Sequence, residues 1–170
     1  RAREAMIEGG VPVVPGSEGN LANVEAALAL AEKIGYPVML KATTGGGGRG
    51  IRRCEDATAL KRNYDRVLSE ATKAFGNAEI FMEKAIVHPR HIEVQILADA
   101  HGNVVHLFER DCSIQRRHQK LLEIAPSPQL DATQRAYIGE LAVRAARTVG
   151  YRNAGTVEFL MDTQGQFYFM

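Results

Sequence analysis

The sequence predicts an α+β fold in two unequal parts. Over roughly 13–85 the order reads strand, glycine loop, strand, helix, strand, which makes a small α/β unit. Over 86–170 the pattern changes to alternating strands, one helix and a closing hairpin, a lobe built on an antiparallel sheet. Residues 1–12 read as the remnant of a preceding domain.

Each element has its own local signal. Residues 2–8 read as the end of a helix, closed by Gly9-Gly10, and "VPVVPGS" is extended and punctuated by prolines. Leu21, Val24, Leu28 and Ala31 follow helical spacing over 21–34, with Asn20 as the expected cap and Gly35 as the stop. "YPVMLKA" (36–42) is a short apolar strand, followed by the glycine loop, a strand at 50–54, a helix over about 56–74 and the strand "IFMEKA" (80–85). "HIEVQILAD" (91–99) alternates, with His91, Glu93 and Gln95 on one face and Ile92, Val94 and Ile96 on the other. "DAHGN" turns the chain into a partner strand, "NVVHLFERD" (103–111), and the polar stretch "RDCSIQRRHQK" (110–120) follows as a connection. A helix over about 131–149 ends at Gly150, and "AGTVEFLMD" with "GQFYFM" forms a hairpin around "TQG".

Composition excludes several classes. The chain has 170 residues, 45% hydrophobic, enough for a real core, and its net charge is only +1. That balance argues against a nucleic-acid binder or a disordered acidic tail, and the cluster Arg116, Arg117, His118, Lys120 is too small to change it. Cys54 and Cys112 lie far apart, with no metal-binding spacing, which fits a reducing compartment better than a disulfide framework. No apolar run reaches the ~18 residues of a membrane span, and "RAREAMIEGG" has no apolar core of a signal peptide. The expected location is cytoplasmic, or the mitochondrial matrix for a eukaryotic source. Both ends are expected to be cut from a longer protein, because the first reads as mid-helix and the last as mid-strand.

The stretch "MLKATTGGGGRGIR" (39–52) is the first candidate site. Ordering glycine costs more backbone entropy than ordering any other residue. A glycine loop also exposes backbone N–H groups that can wrap phosphate oxygens, which then compensate that cost. Lys41 adds a point charge just ahead of the loop. In the Walker A pattern the lysine follows the loop and opens a helix, whereas here it precedes the loop and a second strand follows. No helix opens at the third glycine, so the Rossmann fingerprint is absent as well. Strand, glycine loop, strand is a hairpin flap able to fold over a nucleotide. The plain alternative is a flexible turn, for which two glycines would suffice.

Three further segments carry chemistry. In "FMEKAI", Glu83 and Lys84 are either a solvated strand end or part of a hinge strand beside which an adenine ring can lie. "RDCSIQRRHQK" is either an exposed basic loop or a set of amide, imidazole and cationic donors for ribose, phosphate and a small anion. In "GTVEFLMD", Thr156, Glu158 and Leu160 share one strand face. A carboxylate there needs a partner. Either an arginine pairs with Glu158, or Mg²⁺ does, held together with substrate phosphates.

Together these segments resemble the biotin carboxylase family of ATP-grasp enzymes. The carrying residues are "KATTGGGGRG" (41–50), "MEK" (82–84), "PRHIEVQ" (89–95), "ERDCSIQRRHQK" (109–120), "EIAPSP" (123–128) and "GYRNAGTVEFL" (150–160). The resemblance covers essentially the whole chain, and "RDCSIQRRHQK" is its most specific part. It implies a small flap domain over 13–85 and an incomplete C-terminal ATP-grasp lobe over 86–170. It also implies a reaction in which ATP and bicarbonate give carboxyphosphate, which carboxylates N1 of carrier-bound biotin.

By that likeness Lys41 binds phosphates, and Gly45, Gly46, Gly47, Gly48, Arg49 and Gly50 form the flap over them. Glu83, Lys84 and Ile86 hold the adenine region, and Leu160 belongs to the nucleotide pocket. His91 and Gln115 match positions that meet ribose, and His118 matches a nucleotide contact. Lys120 lies near bicarbonate and the transferred phosphate, and Glu158 matches a ligand of Mg²⁺ (or Mn²⁺). Implied partners are a biotin carboxyl carrier domain and a carboxyltransferase component, in a parent that is homo-oligomeric.

The family's second metal-binding glutamate, its bicarbonate-binding arginine and general base, and an earlier phosphate-binding lysine have no counterpart in the sequence. The chain alone is therefore expected to lack the full activity, and the loop over 44–49 to be poorly ordered without nucleotide. Two alternatives stand: another ATP-grasp ligase, such as a carbamoyl-phosphate synthetase, and a non-catalytic nucleotide-binding module.

Overall fold

The computed structural model describes residues 2–43, 50–76, 79–117 and 119–170. The chain divides into two compact units, one formed by 14–86 and one by 1–13 with 87–170. The chain opens with α1 (Ala2–Glu8), whose Met6 is buried in the core of the second of these units. Residues expected as a remnant of another domain thus contribute Met6 and Val11 to that core.

The unit over 14–86 is a three-stranded antiparallel sheet backed by two helices. α2 (Val24–Ile34) starts at Asn23, whose side chain accepts the Ala26 N–H at 2.9 Å. Asn20, the expected cap, instead accepts the Thr43 hydroxyl proton at 2.8 Å. The helix begins one turn before the buried Ala27 and Ala31, so the cap position falls to the second asparagine. β1 (Val38–Ala42) and β2 (Ile51–Cys54) form the predicted hairpin, with Val38 opposite Cys54 and Lys41 opposite Ile51. α3 (Ala57–Phe75) is capped by Asp56 on Ala59 N–H at 2.7 Å and closed by Gly76 in the left-handed conformation. Its buried Leu60, Tyr64, Val67 and Ala71 follow the i, i+4, i+7, i+11 stripe. β3 (Ile80–Lys84) pairs with the other edge of β1. Val38, Leu40, Ile80 and Met82 face the helices, so the alternate residues Lys41 and Glu83 are left to the opposite face.

The other unit is a five-stranded antiparallel sheet carrying α1 and one longer helix. Its strands are β4 (Arg90–Ala98), β5 (Val104–Arg116), β6 (Gln119–Ile124), β7 (Asn153–Met161) and β8 (Phe167–Phe169), ordered β6-β5-β4-β7-β8. α4 (Ala132–Thr148) opens with a capping box between Asp131 and Gln134. Its Ile138, Leu141, Ala142 and Ala145 pack on Ile92, Val94, Ile96, Val157 and Phe159. Gly139 lets α4 approach β5, because a Cβ there would lie 2.5 Å from the His106 ring. At the same interface Glu109 is buried and accepts from Arg135 Nε at 2.8 Å and Ser127 N–H at 3.0 Å.

One segment differs from its sequence reading. "RDCSIQRRHQK" is not a connecting loop. β5 runs through it to Arg116 and turns directly into β6, with Arg116 opposite Gln119. Register shifts on either side of Ile114 break the two-residue alternation that would have marked a strand.

Candidate functional site

In the unit over 14–86, Lys41 and Glu83 meet on the sheet face turned away from the helices. Lys41 Nζ donates to Glu83 Oε2 across β1 and β3, and it sits 5.8 Å from the Phe81 ring centroid. Glu83 lies diagonal to Lys41, since Met39 is its direct partner in the ladder. Lys84 does something else with its side chain: Nζ donates to the carbonyls of Gly35 and Tyr36 at 2.9 and 2.7 Å, tying down the end of α2. The Lys84 backbone N–H donates to Pro15 O at 2.7 Å. Ile86 is half-buried just past β3.

Gly50 closes the foot of the flap hairpin, where its carbonyl accepts from Ala42 N–H at 2.8 Å. It has φ +69, and a Cβ would fall 2.9 Å from Ala42 Cβ, so only glycine fits without strain. Gly45, Gly46, Gly47, Gly48 and Arg49 lie outside the described residues, as does His118, and the expectation about the order of the 44–49 loop lies there too.

In the other unit the polar face of the five-stranded sheet holds a charged cluster. Glu93 and Glu158 are direct cross-strand partners on β4 and β7. Two like charges opposite each other repel, and Lys120 resolves this. Its Nζ donates to Glu93 Oε2 and, at 2.6 Å, to Glu158 Oε1. Arg110 Nε adds a second cation on Glu93 at 2.6 Å. Burial works against the charge on Lys120, yet the hydrogen bonds to Glu158 and Glu93 outweigh it and hold the ammonium above its ordinary range. Burial likewise opposes ionisation of Glu93, and the hydrogen bonds from Lys120 and Arg110 overcome it, leaving the carboxyl below the usual range. The arginine expected as the plain partner of Glu158 is therefore a lysine.

His91 completes the cluster. Its Nδ1 lies 2.7 Å from Gln115 Nε2, and its Nε2 lies 3.5 Å from Glu158 Oε2. Leu160 stands opposite His91 in the ladder, on the same strand face as Glu158. Burial, with the Glu93 charge adding to it, pushes the nearby Cys112 thiol up to about 11, so it stays protonated and inert at neutral pH.

Hard oxygen ligands suit Mg²⁺, which is commonly held by one or two carboxylates with substrate phosphates. Glu158 fits that role, because Oε2 meets His91 only at 3.5 Å while Oε1 is occupied by Lys120. Glu93, Cys112 and Glu123 also bring ligand atoms within 4.8 Å of one another. Two cations already on Glu93 and a protonated thiol make that group a poor metal site.

Sequence reasoning did not single out Glu93 and Arg110 as site residues. The signal was present in the strict alternation of His91, Glu93 and Gln95. What alternation lacks is the identity of the strand lying opposite, and that decides whether a polar face meets water or a cation.

The family described as "Carbamoyl-phosphate synthase L chain, ATP binding domain" matches residues 1–170, and the chain belongs to it. The chain is 56% identical over 169 residues to biotin carboxylase 2 of Bacillus subtilis, covering 99% of this chain and 38% of that protein. It superposes on the biotin carboxylase domain of Hydrogenobacter thermophilus 2-oxoglutarate carboxylase, a dimer in complex with MgADP, ADP and bicarbonate. The TM-score there is 0.90 with 56% identity, over 99% of this chain and 37% of the other. Against the Campylobacter jejuni biotin carboxylase–β,γ-ATP complex the TM-score is 0.92 and the identity 54%, over 99% and 38% of the two chains. The fold is thus the α+β ATP-grasp arrangement of biotin carboxylases, and the chain spans well under half the length of these relatives.

Proposed function

We propose that the chain is the ATP-grasp part of a biotin carboxylase that uses MgATP and bicarbonate to carboxylate biotin on a carrier domain. The observation that carries this is the Lys120 ammonium bound between Glu93 and Glu158 on the polar sheet face. Such a group is built to hold a fixed positive charge beside a carboxylate able to take a metal. Of two relatives with the same fold, one is a complex with MgADP, ADP and bicarbonate and the other a complex with β,γ-ATP.

In this reading bicarbonate oxygen attacks the γ-phosphorus of ATP, ADP leaves, and carboxyphosphate forms. Biotin N1 then attacks the carboxyl carbon, the bond from that carbon to the phosphate oxygen breaks, and the N1 proton leaves with the released phosphate. Lys41 and the flap backbone bind phosphate oxygens, and Glu83 lies on the adenine side. Lys120 stabilises negative charge on the bicarbonate and the transferred phosphoryl group, where a fixed charge in a water-poor site is most effective. His91, Gln115, His118 and Leu160 line the nucleoside pocket. Glu158 would hold Mg²⁺ (or Mn²⁺), which when bound neutralises phosphate charge. A biotin carboxyl carrier domain and a carboxyltransferase component would be the partners, in a cytoplasmic or matrix enzyme.

The test is bicarbonate-dependent ATP cleavage by the polypeptide that carries this chain. Lys120→Ala is expected to lower it by about 10²-fold or more. ATP turnover indifferent to bicarbonate and to this substitution would contradict the assignment. A carbamoyl-phosphate-forming ligase of the same ATP-binding family is the second reading. Free biotin stimulates carboxylation under the first reading, and ammonia replaces it under the second.

A further inference from the structure

We propose that Gln115 is a positioning residue that fixes the neutral His91 ring as its Nε2–H tautomer, so that the ring offers a donor, and no acceptor, on the polar sheet face.

The β4–β5 ladder ends at the pair Ile92–Asp111, one residue short of His91, and beyond Asp111 β5 bulges in its pairing with β6, which brings Ser113 to the His91 N–H. Ser113 Oγ takes that proton at 3.0 Å. The same hydroxyl donates to Asp111 Oδ1 at 2.5 Å, and Asp111 is in turn held by Arg90 at 3.1 Å. The main chain at His91 is therefore pinned from within the bulge.

The ring is fixed separately. Gln115 Nε2 donates to Cys112 O at 2.8 Å, and a carbonyl oxygen can only accept. This sets which end of the Gln115 amide is nitrogen, a choice that must come from the bonding network. The second N–H of the same NH₂ group then meets His91 Nδ1 at 2.7 Å. Nδ1 must supply a lone pair, and the ring proton is left on Nε2. That nitrogen is buried, without a hydrogen-bond partner among the described residues, and faces Glu158 Oε2 at 3.5 Å. The other tautomer would set N–H against N–H at one nitrogen and lone pair against carboxylate at the other. The Cys112 carbonyl decides the tautomer, since it belongs to β5 itself and does not depend on any ligand.

A consequence follows for the ligand, and it rests on the nucleotide reading. The atom met by His91 must be an acceptor, such as a hydroxyl, ether or phosphate oxygen. An amino group of a base or substrate would meet a second donor there.

The test is nitrogen-15 NMR of histidine-labelled protein without nucleotide, with His91→Gln identifying the His91 signals. The expected spectrum has a protonated Nε2 and an unprotonated Nδ1. In Gln115→Glu the carboxylate accepts instead, and Nδ1 is expected to become protonated. In Gln115→Leu the preference relaxes to a mixture. A wild-type ring protonated at Nδ1, or evenly mixed, overturns the proposal without needing either variant. A tautomer unchanged in both variants overturns it as well. Because nucleotide is absent, a negative result here stays separate from a failure of the nucleotide reading, which MgADP binding reports on its own.

Discussion

Glu93 and Glu158 face each other directly across β4 and β7, and the Lys120 ammonium binds both. Three charges from three strands thus form one unit on the sheet face opposite the hydrophobic core. Its sign balance depends on Lys120, since the Arg110 guanidinium reaches only Glu93 among these two acids.

Replacing Lys120 by methionine keeps bulk and removes the bridge. We expect a loss of about 1.5–3 kcal/mol at neutral pH, typical of hydrogen bonds to charged groups. The loss should depend on pH in a defined direction. Glu93 is held below its ordinary range, so its stabilising contribution is present above about pH 4.3 and vanishes as pH falls through its lowered value. Lys120 is held above its range, so its contribution is present below about pH 10.4 and is lost only as pH rises through the raised value. Urea denaturation of wild type and variant should therefore differ by a constant amount between these limits and converge in acid. A difference that persists at pH 2 would show that the bridge is not its source.

Arg135→Met should be among the most damaging single changes in the sheet–helix unit. It removes the guanidinium from Glu109, whose side chain is only 1% exposed. Breaking a buried pair on one side costs about 3–5 kcal/mol, because an unpaired charge stays behind. Adding Glu109→Leu to that variant should recover much of the loss, and a double variant no better than the single one would argue against this cause.

Gly16 lies against the strand that carries Glu83. A Cβ there would fall 2.4 Å from Met82 O and 3.0 Å from Glu83 Cα. Both are backbone atoms, so they cannot swing aside as a side-chain tip would. Gly16→Ala is expected to cost about 1–3 kcal/mol by overpacking, read as a shift of the urea midpoint. Unchanged stability would mean that the 14–17 segment moves freely relative to β3.

Two asparagines three residues apart should behave differently. Asn23→Ala removes the cap of α2 and should cost about 1 kcal/mol. Asn20→Ala loses only an exposed contact with Thr43 and should cost less than half of that. Thermal melts of the two variants separate the cases, and a larger effect at Asn20 would place the cap where the sequence reading had it.

That pair also shows what the sequence could and could not convey. Helices announce themselves through stripes such as Leu60, Tyr64, Val67 and Ala71, and the flap hairpin through its glycines. Between two equally good capping residues, only packing of Ala27 and Ala31 decides. The "RDCSIQRRHQK" segment was recognisable by its residue types, yet its conformation was hidden, because the shifts around Ile114 break strand alternation. Lys41, Glu83, His91, Gln115, Lys120 and Glu158 were named from spacing and resemblance. Their pairings were not, since a cross-strand partner lies far away in sequence and has no local signature. Glu93 shows the same limit from the other side: its place on a polar face was legible, and the two cations that bury it were not.

The measurement that tests the central claim most directly is calorimetric titration of MgADP into the protein, with Lys41→Gln as the comparison. Glutamine retains a donor for Glu83 and removes the charge offered to phosphate. The account predicts saturable binding that weakens about tenfold or more in the variant, as expected for loss of a charge-assisted contact. Equal affinity in wild type and variant, with both folded, would contradict the assignment of this strand and its glycine loop to nucleotide phosphates.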